Sequence, residues 1–71
     1  MTKEFRIKVA LDDFSDAMDS LRKQYDQKLN WIIENGFEEV RTSEILECNM
    51  WMIQQENLLK NKFIATLSTI G

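Results

Sequence analysis

Between its two ends the chain contains no proline and a single glycine, Gly36. Proline and glycine are the residues that most readily stop or bend a helix. A backbone without them is free to run in long helices, with one obvious place to reverse. The apolar residues agree. Leu11, Phe14, Met18, Leu21, Tyr25, Leu29 and Ile32 recur at steps of three or four, the stripe of an amphipathic helix. Asp12-Asp13 supplies short acceptor side chains that cap free backbone N–H groups at its start. Asn35-Gly36 ends it, because glycine accepts the left-handed conformation beyond a helix C-terminus without penalty, and Phe37 would then lie back against Ile32. The first helix is therefore expected over residues 12–35.

The connection FEEVRT is short, and is expected to hold a few extended residues so that Phe37 and Val40 find burial. Thr42 or Ser43 then caps a second helix over residues 43–68, with Glu44 and Glu47 in its first turn, where the macrodipole favours anions. Ile45, Cys48, Met52, Leu59, Phe63, Leu67 and Ile70 share one face, and Leu46, Ile53 and Ile64 widen it. Trp51, Leu58 and Ala65, seven apart, form a further stripe. Ahead of both helices, EFRIKVA alternates: Phe5, Ile7 and Val9 against Arg6 and Lys8. That period of two predicts a short strand over residues 4–10, with Arg6 and Lys8 guarding its edge.

Two long helices and a short loop make an antiparallel αα-hairpin. The second helix is apolar around most of its N-terminal half, more than one hairpin mate can cover. A chain this short also struggles to bury enough surface alone; a 60-residue domain buries only about 60% of what its unfolded chain exposes. Disulfides cannot compensate, because Cys48 is the only cysteine, and with no histidine a zinc site lacks ligands. Association remains. The expected fold is mainly α: one domain, a strand and a two-helix hairpin, dimerising into a four-helix-bundle-like assembly through Leu46, Met50, Trp51, Ile53 and Leu58.

Catalysis is not expected. The sequence has no Gly-rich phosphate loop, no nucleophile elbow and no CxxC pair. Cys48 sits on the apolar face without the basic neighbours that activate a thiolate. No cofactor or metal is implied. A net charge of -3 disfavours direct nucleic-acid binding, which depends on Lys and Arg neutralising phosphates. One unpaired cysteine suits a reducing compartment. With no apolar run of signal-peptide or membrane-spanning length, the expected location is the cytoplasm.

Charge falls in blocks. Residues 12–20 and residues 31–48 each carry -4. Asp12, Asp16 and Asp19 share one side of the first helix with Asp26 beyond them, neighbours about 5–6 Å apart, near the spacing of successive phosphates. Two such rows in a dimer would imitate DNA towards a basic nucleic-acid-binding protein. The residues expected to meet a partner are Asp12, Asp13, Asp16, Asp19, Asp26, Glu34, Glu38 and Glu39, with Trp31 and Phe37 as apolar anchors. The competing reading is a solvated face, with acids at helix starts complementing the dipole and Asp19–Lys23 as a surface pair. Trp31, Trp51, Met50 and Met52 likewise suit either a hot spot or a dimer core.

In outline the hairpin resembles the small dimeric helical-hairpin proteins that regulate plasmid copy number. That resemblance implies the paired-hairpin architecture. Those proteins bind RNA through basic and aromatic residues on one face, and this chain has no such face. In size, acidity and lack of catalytic groups it is also similar to phage-encoded early proteins that disable a host factor, which implies an inhibitor of a protein partner. The alternative function is an assembly subunit that packs through its apolar helix faces.

Overall fold

The computed structural model describes residues 2–70 as two helices, α1 (Lys3–Asn35) and α2 (Arg41–Ile70), joined by a short turn. They pack antiparallel. Residues equidistant from the turn face one another, so Phe14 stacks on Phe63 with ring centroids 4.7 Å apart and an interplanar angle of 25°. The facing stripe of α1 is Ile7, Ala10, Phe14, Met18, Leu21, Tyr25, Leu29 and Ile32, all buried or half-buried. That of α2 is Ile45, Cys48, Met52, Leu59, Phe63, Leu67 and Ile70, the face expected for it. No helix among the described residues is long and apolar enough to cross a membrane.

Residues 4–10 depart from expectation. Among the described residues there is no strand; residues 4–10 form the opening turns of α1, and Asp12-Asp13 lie inside the helix. The segment fits both periods, since Ile7, Ala10 and Phe14 continue the stripe at helical spacing. A lone strand would leave its backbone N–H and C=O groups without a ladder, whereas a helix satisfies them internally. The helix start is Thr2, whose hydroxyl oxygen accepts a hydrogen bond from the Phe5 N–H at 3.1 Å. Extending the helix shifts the seam inward: Ala10 is buried, and Leu11, expected on the stripe, is exposed.

The turn also differs. Gly36 is not left-handed; its φ of -72° and ψ of 147° are extended, and its N–H donates to the Ile32 carbonyl at 2.8 Å. Glycine is needed for room. A Cβ built there would lie 2.5 Å from the Ile32 carbonyl oxygen and 3.1 Å from Glu44 Oε2. The Schellman contact does not form, because Phe37 is 81% exposed, and Val40 is exposed too. Residues 37–40 make a tight turn, with the Val40 N–H donating to the Phe37 carbonyl at 3.1 Å. No extended segment intervenes, and α2 begins at Arg41, so Thr42 and Ser43 lie in its first turn. The Arg41 guanidinium donates to the Gly36 carbonyl at 3.2 Å and ties the two helix ends together.

The result is long and thin, 54 × 16 × 8 Å with a radius of gyration of 16.4 Å. A compact chain of this length would have a radius near 11 Å, about two-thirds of that value. Among the described residues only Ala10, Leu21 and Cys48 are buried. Leu21→Ala should cost about 2–5 kcal/mol, whereas Leu11→Ala should stay within about 0.5 kcal/mol, both read from chemical denaturation. Equal losses would mean the seam runs through Leu11 and not Ala10. Gly36→Ala should lose about 1–3 kcal/mol, as overpacking does, because the obstructing Ile32 carbonyl is backbone and cannot swing away.

Candidate interaction surfaces

The edge of α1 that faces away from α2 is charged, whereas much of the exposed apolar surface belongs to α2. On α1 the edge runs Lys8, Asp12, Asp16, Asp19, Lys23, Asp26, Asn30 and Glu34, at steps of three or four, every residue exposed. It holds five of the expected partner-binding carboxylates together with two lysines. Lys8–Asp12 and Asp19–Lys23 are i, i+4 neighbours, so part of the charge is compensated locally. Asp13 is separate. It lies on a flank, beside Phe14, Ala17, Lys62 and Thr66 in a narrow cleft between the helices. Glu38 and Glu39 are exposed at the turn, beyond the Glu34 end of that row.

On α2 the exposed residues include large apolar ones: Leu46, Met50, Ile53 and Ile64 are each 56–61% exposed, and Ile53 lines a groove with Arg22, Tyr25 and Asp26 of α1. These include three of the five residues expected at a dimer interface. The other two, Trp51 and Leu58, sit round the helix on one broad face of the hairpin, where Leu58 is exposed and Trp51 half-buried. Trp51 is covered from α1 by Lys28, whose ammonium stands 4.8 Å from the ring centroid, a cation–π contact worth about 0.5–1 kcal/mol at an accessible site.

Trp31 occupies the same face. With Lys28, Ile32, Glu44, Glu47, Cys48 and Trp51 it lines an open groove of about 620 Å³ beside the turn. Glu44 Oε2 and Arg41 Nε, at this end of the hairpin, are shielded from solvent without a hydrogen-bond partner. Trp31, mostly exposed, is the groove's outer wall, and Phe37 projects beyond it. Spacing set Trp31 off the main stripe as an accessible anchor, whereas Phe37, also named as an anchor, was expected to find burial; spacing missed the Lys28–Trp51 contact, and also the hydrogen bond that the Tyr25 hydroxyl donates to the Asn49 side-chain oxygen across the seam. Both pairs emerge only once the turn is centred near Glu38-Glu39, because that register decides which residues of the two helices meet.

Among the described residues no cluster of His, Cys, Asp or Glu is arranged to hold a metal ion. No protein-family model matches the chain, and no significant similarity to a curated protein or a solved structure was found.

Tyr25→Phe should lower stability by about 1 kcal/mol, since Asn49 then loses its partner in a half-buried place. The same substitution should leave the helical circular-dichroism spectrum unchanged. A loss too small to measure would place this hydrogen bond among those that water replaces freely.

Proposed function

We propose that the chain is a non-enzymatic, homodimeric protein-binding module, which acts by occupying the surface of another protein. The observation that carries this is the mismatch between surface and interior. The hairpin exposes 5784 Å², against about 4,600 Å² expected for a compact protein of its mass. Much of that surface is large and apolar, including Leu46, Met50, Ile53, Leu58 and Ile64. Surface of this kind marks a binding site on a soluble chain. A specific interface uses about 800 Å² per partner, which the excess is large enough to supply.

The acidic edge of α1 supports a basic partner. Its carboxylates are exposed and follow one line, so they attract positive charge over a Debye length and speed encounter. A nucleic-acid-binding protein presents that charge, and masking it in the manner of DNA would inhibit it. Trp31 and Phe37, projecting at the turn, supply apolar anchors of the type that dominates binding energy. A second reading, an assembly subunit packing stoichiometrically into a larger complex, is favoured by the apolar residues that remain exposed on α1, Phe5, Leu11 and Ile33.

Sedimentation equilibrium at micromolar concentration should give a single species of twice the chain mass. A compact, fully helical monomer under those conditions overturns the dimer, and large polydisperse species favour the assembly subunit. Captured basic partners should be released steeply between 50 and 500 mM salt, roughly as screening shortens the Debye length from above 10 Å to below 8 Å. Binding that is indifferent to salt removes the mimicry. Trp31→Ala should weaken capture at least about tenfold while leaving the unfolding midpoint unchanged.

A further inference from the structure

The turn end of the hairpin holds more than the whole net charge. Residues 31–48 sum to -4, through Glu34, Glu38, Glu39, Glu44 and Glu47 against Arg41, while the chain sums to -3, so the remainder is +1. Glu47, the farthest of these along α2, lies six residues past Arg41, about 9 Å along the axis, in a molecule 54 Å long. The groove of Trp31 and Trp51 opens at this same end. We propose that it seats an arginine side chain from the surface of a partner protein, the guanidinium lying between the Trp31 indole and the Glu44 and Glu47 carboxylates. The proposal rests on the protein-binding reading above and deepens it by naming the group the groove takes.

Three features of the lining fit a guanidinium. The first is aromatic. Trp51 is already engaged by the Lys28 ammonium, 4.8 Å from its ring centroid, which shows that the groove attracts a cation to an indole face. Trp31, on the same groove, stands 62% exposed and offers a second such face. The second feature is the carboxylate pair. Glu44 and Glu47 are three residues apart on α2 and both line the groove, about 5–6 Å from one another, within reach of the planar fork of five N–H donors that arginine carries. The third is the fixing of Glu44. Its Oε2 is shielded from solvent without a hydrogen-bond partner and lies 3.1 Å from where a Cβ on Gly36 would stand. A carboxylate held in this way, one hydrogen bond short, gains more from a charged donor than a fully solvated one does. Arg41 does not fill that role, since its guanidinium donates to the Gly36 carbonyl.

Other occupants fit less well. A phosphate or other anion meets two carboxylates against one lysine in the lining. An apolar side chain would cover Glu44 and Glu47 without pairing them, at a cost in desolvation. A lysine ammonium can meet the carboxylates, but it is a compact, strongly hydrated charge with no plane to lay on an indole. Lys28 has the opposite part: as the one cation in the lining it repels an incoming arginine, so its removal should tighten binding. The aspartates of α1 complete the division of labour. Their row carries charge without an aromatic wall, so it steers a basic surface at a distance, and the groove then holds one side chain of it.

The test titrates the full chain with a capped Gly-Arg-Gly peptide at physiological ionic strength. The readout is the two tryptophan indole N–H resonances, told apart with W31F. The arginine peptide should move the Trp31 resonance saturably. The matching lysine peptide should bind about twofold to fivefold more weakly, and the citrulline peptide, an uncharged isostere, should not saturate. E44Q and E47Q should each weaken the arginine peptide by about twofold to fivefold, and K28Q should strengthen it by a similar factor. D16N/D19N, on the acidic row, should change it by less than about twofold. Should E44Q disturb the turn and its helical spectrum, the exposed positions in E47Q and K28Q still decide. Citrulline binding as tightly as arginine, an unmoved Trp31 resonance, or D16N/D19N weakening binding as much as E47Q overturns the groove and leaves the protein-binding reading standing. A chain that takes the arginine peptide yet captures no basic protein at low salt overturns that reading instead.

Discussion

Two helices can touch along only one line, and that constraint governs the whole molecule. A side chain becomes inaccessible only when neighbours surround it, and a hairpin supplies neighbours on one side. Of the three residues that are nonetheless buried among those described, two are small, Ala10 and Cys48. Leu21 is the exception, held by the facing stripe near the middle of the hairpin. Larger residues on the seam, Phe14 and Phe63 among them, stack across it yet remain partly open at both flanks. The hydrophobic return on folding, about 25 cal/mol per Å² removed from water, is correspondingly reduced.

With so little interior, local terms matter more than they would in a globular domain. The Thr2 hydroxyl at the start of α1, the absence of proline, and the Lys3, Glu4, Arg6, Lys8 and Ala10 that offset the weaker helix formers Phe5, Ile7 and Val9 in the first turns all favour helix without tertiary help. The same balance explains why the opening segment is helical. Its alternation of apolar and polar residues predicts a strand only if another strand is present to receive its hydrogen bonds. Residues 4–10 have none, and the helical alternative also delivers Ile7 and Ala10 to α2. Alternation over seven residues is too short to choose between the two periods; what chooses is the availability of a partner for the backbone.

Most of the hairpin was legible because it depends on spacing alone. The second helix face, the reversal at Gly36 and the stripe from Phe14 to Ile32 all follow from steps of three and four and from one helix breaker. What was not legible depends on register across the turn. Gly36 looked like a residue chosen for φ, yet its role is to let Glu44 and the Ile32 carbonyl come close. Phe37 looked as though it must be buried, yet a tight turn over residues 37–40 leaves nothing above it. The acidic row and the exposed apolar side chains of α2 were partly visible as separate stripes. That Asp26 of the first and Ile53 of the second line one groove became clear only when α1 and α2 were placed face to face.

The contrast between an acidic margin on α1 and exposed apolar side chains on α2 bears on what can cover each. An apolar surface loses least by meeting another apolar surface. A charged edge loses solvation when covered, so it stays in water unless the incoming surface carries the opposite charge. The two adjoin where Asp26 and Ile53 line one groove between the helices, so whatever covers the apolar side of α2 also comes within reach of charge on α1.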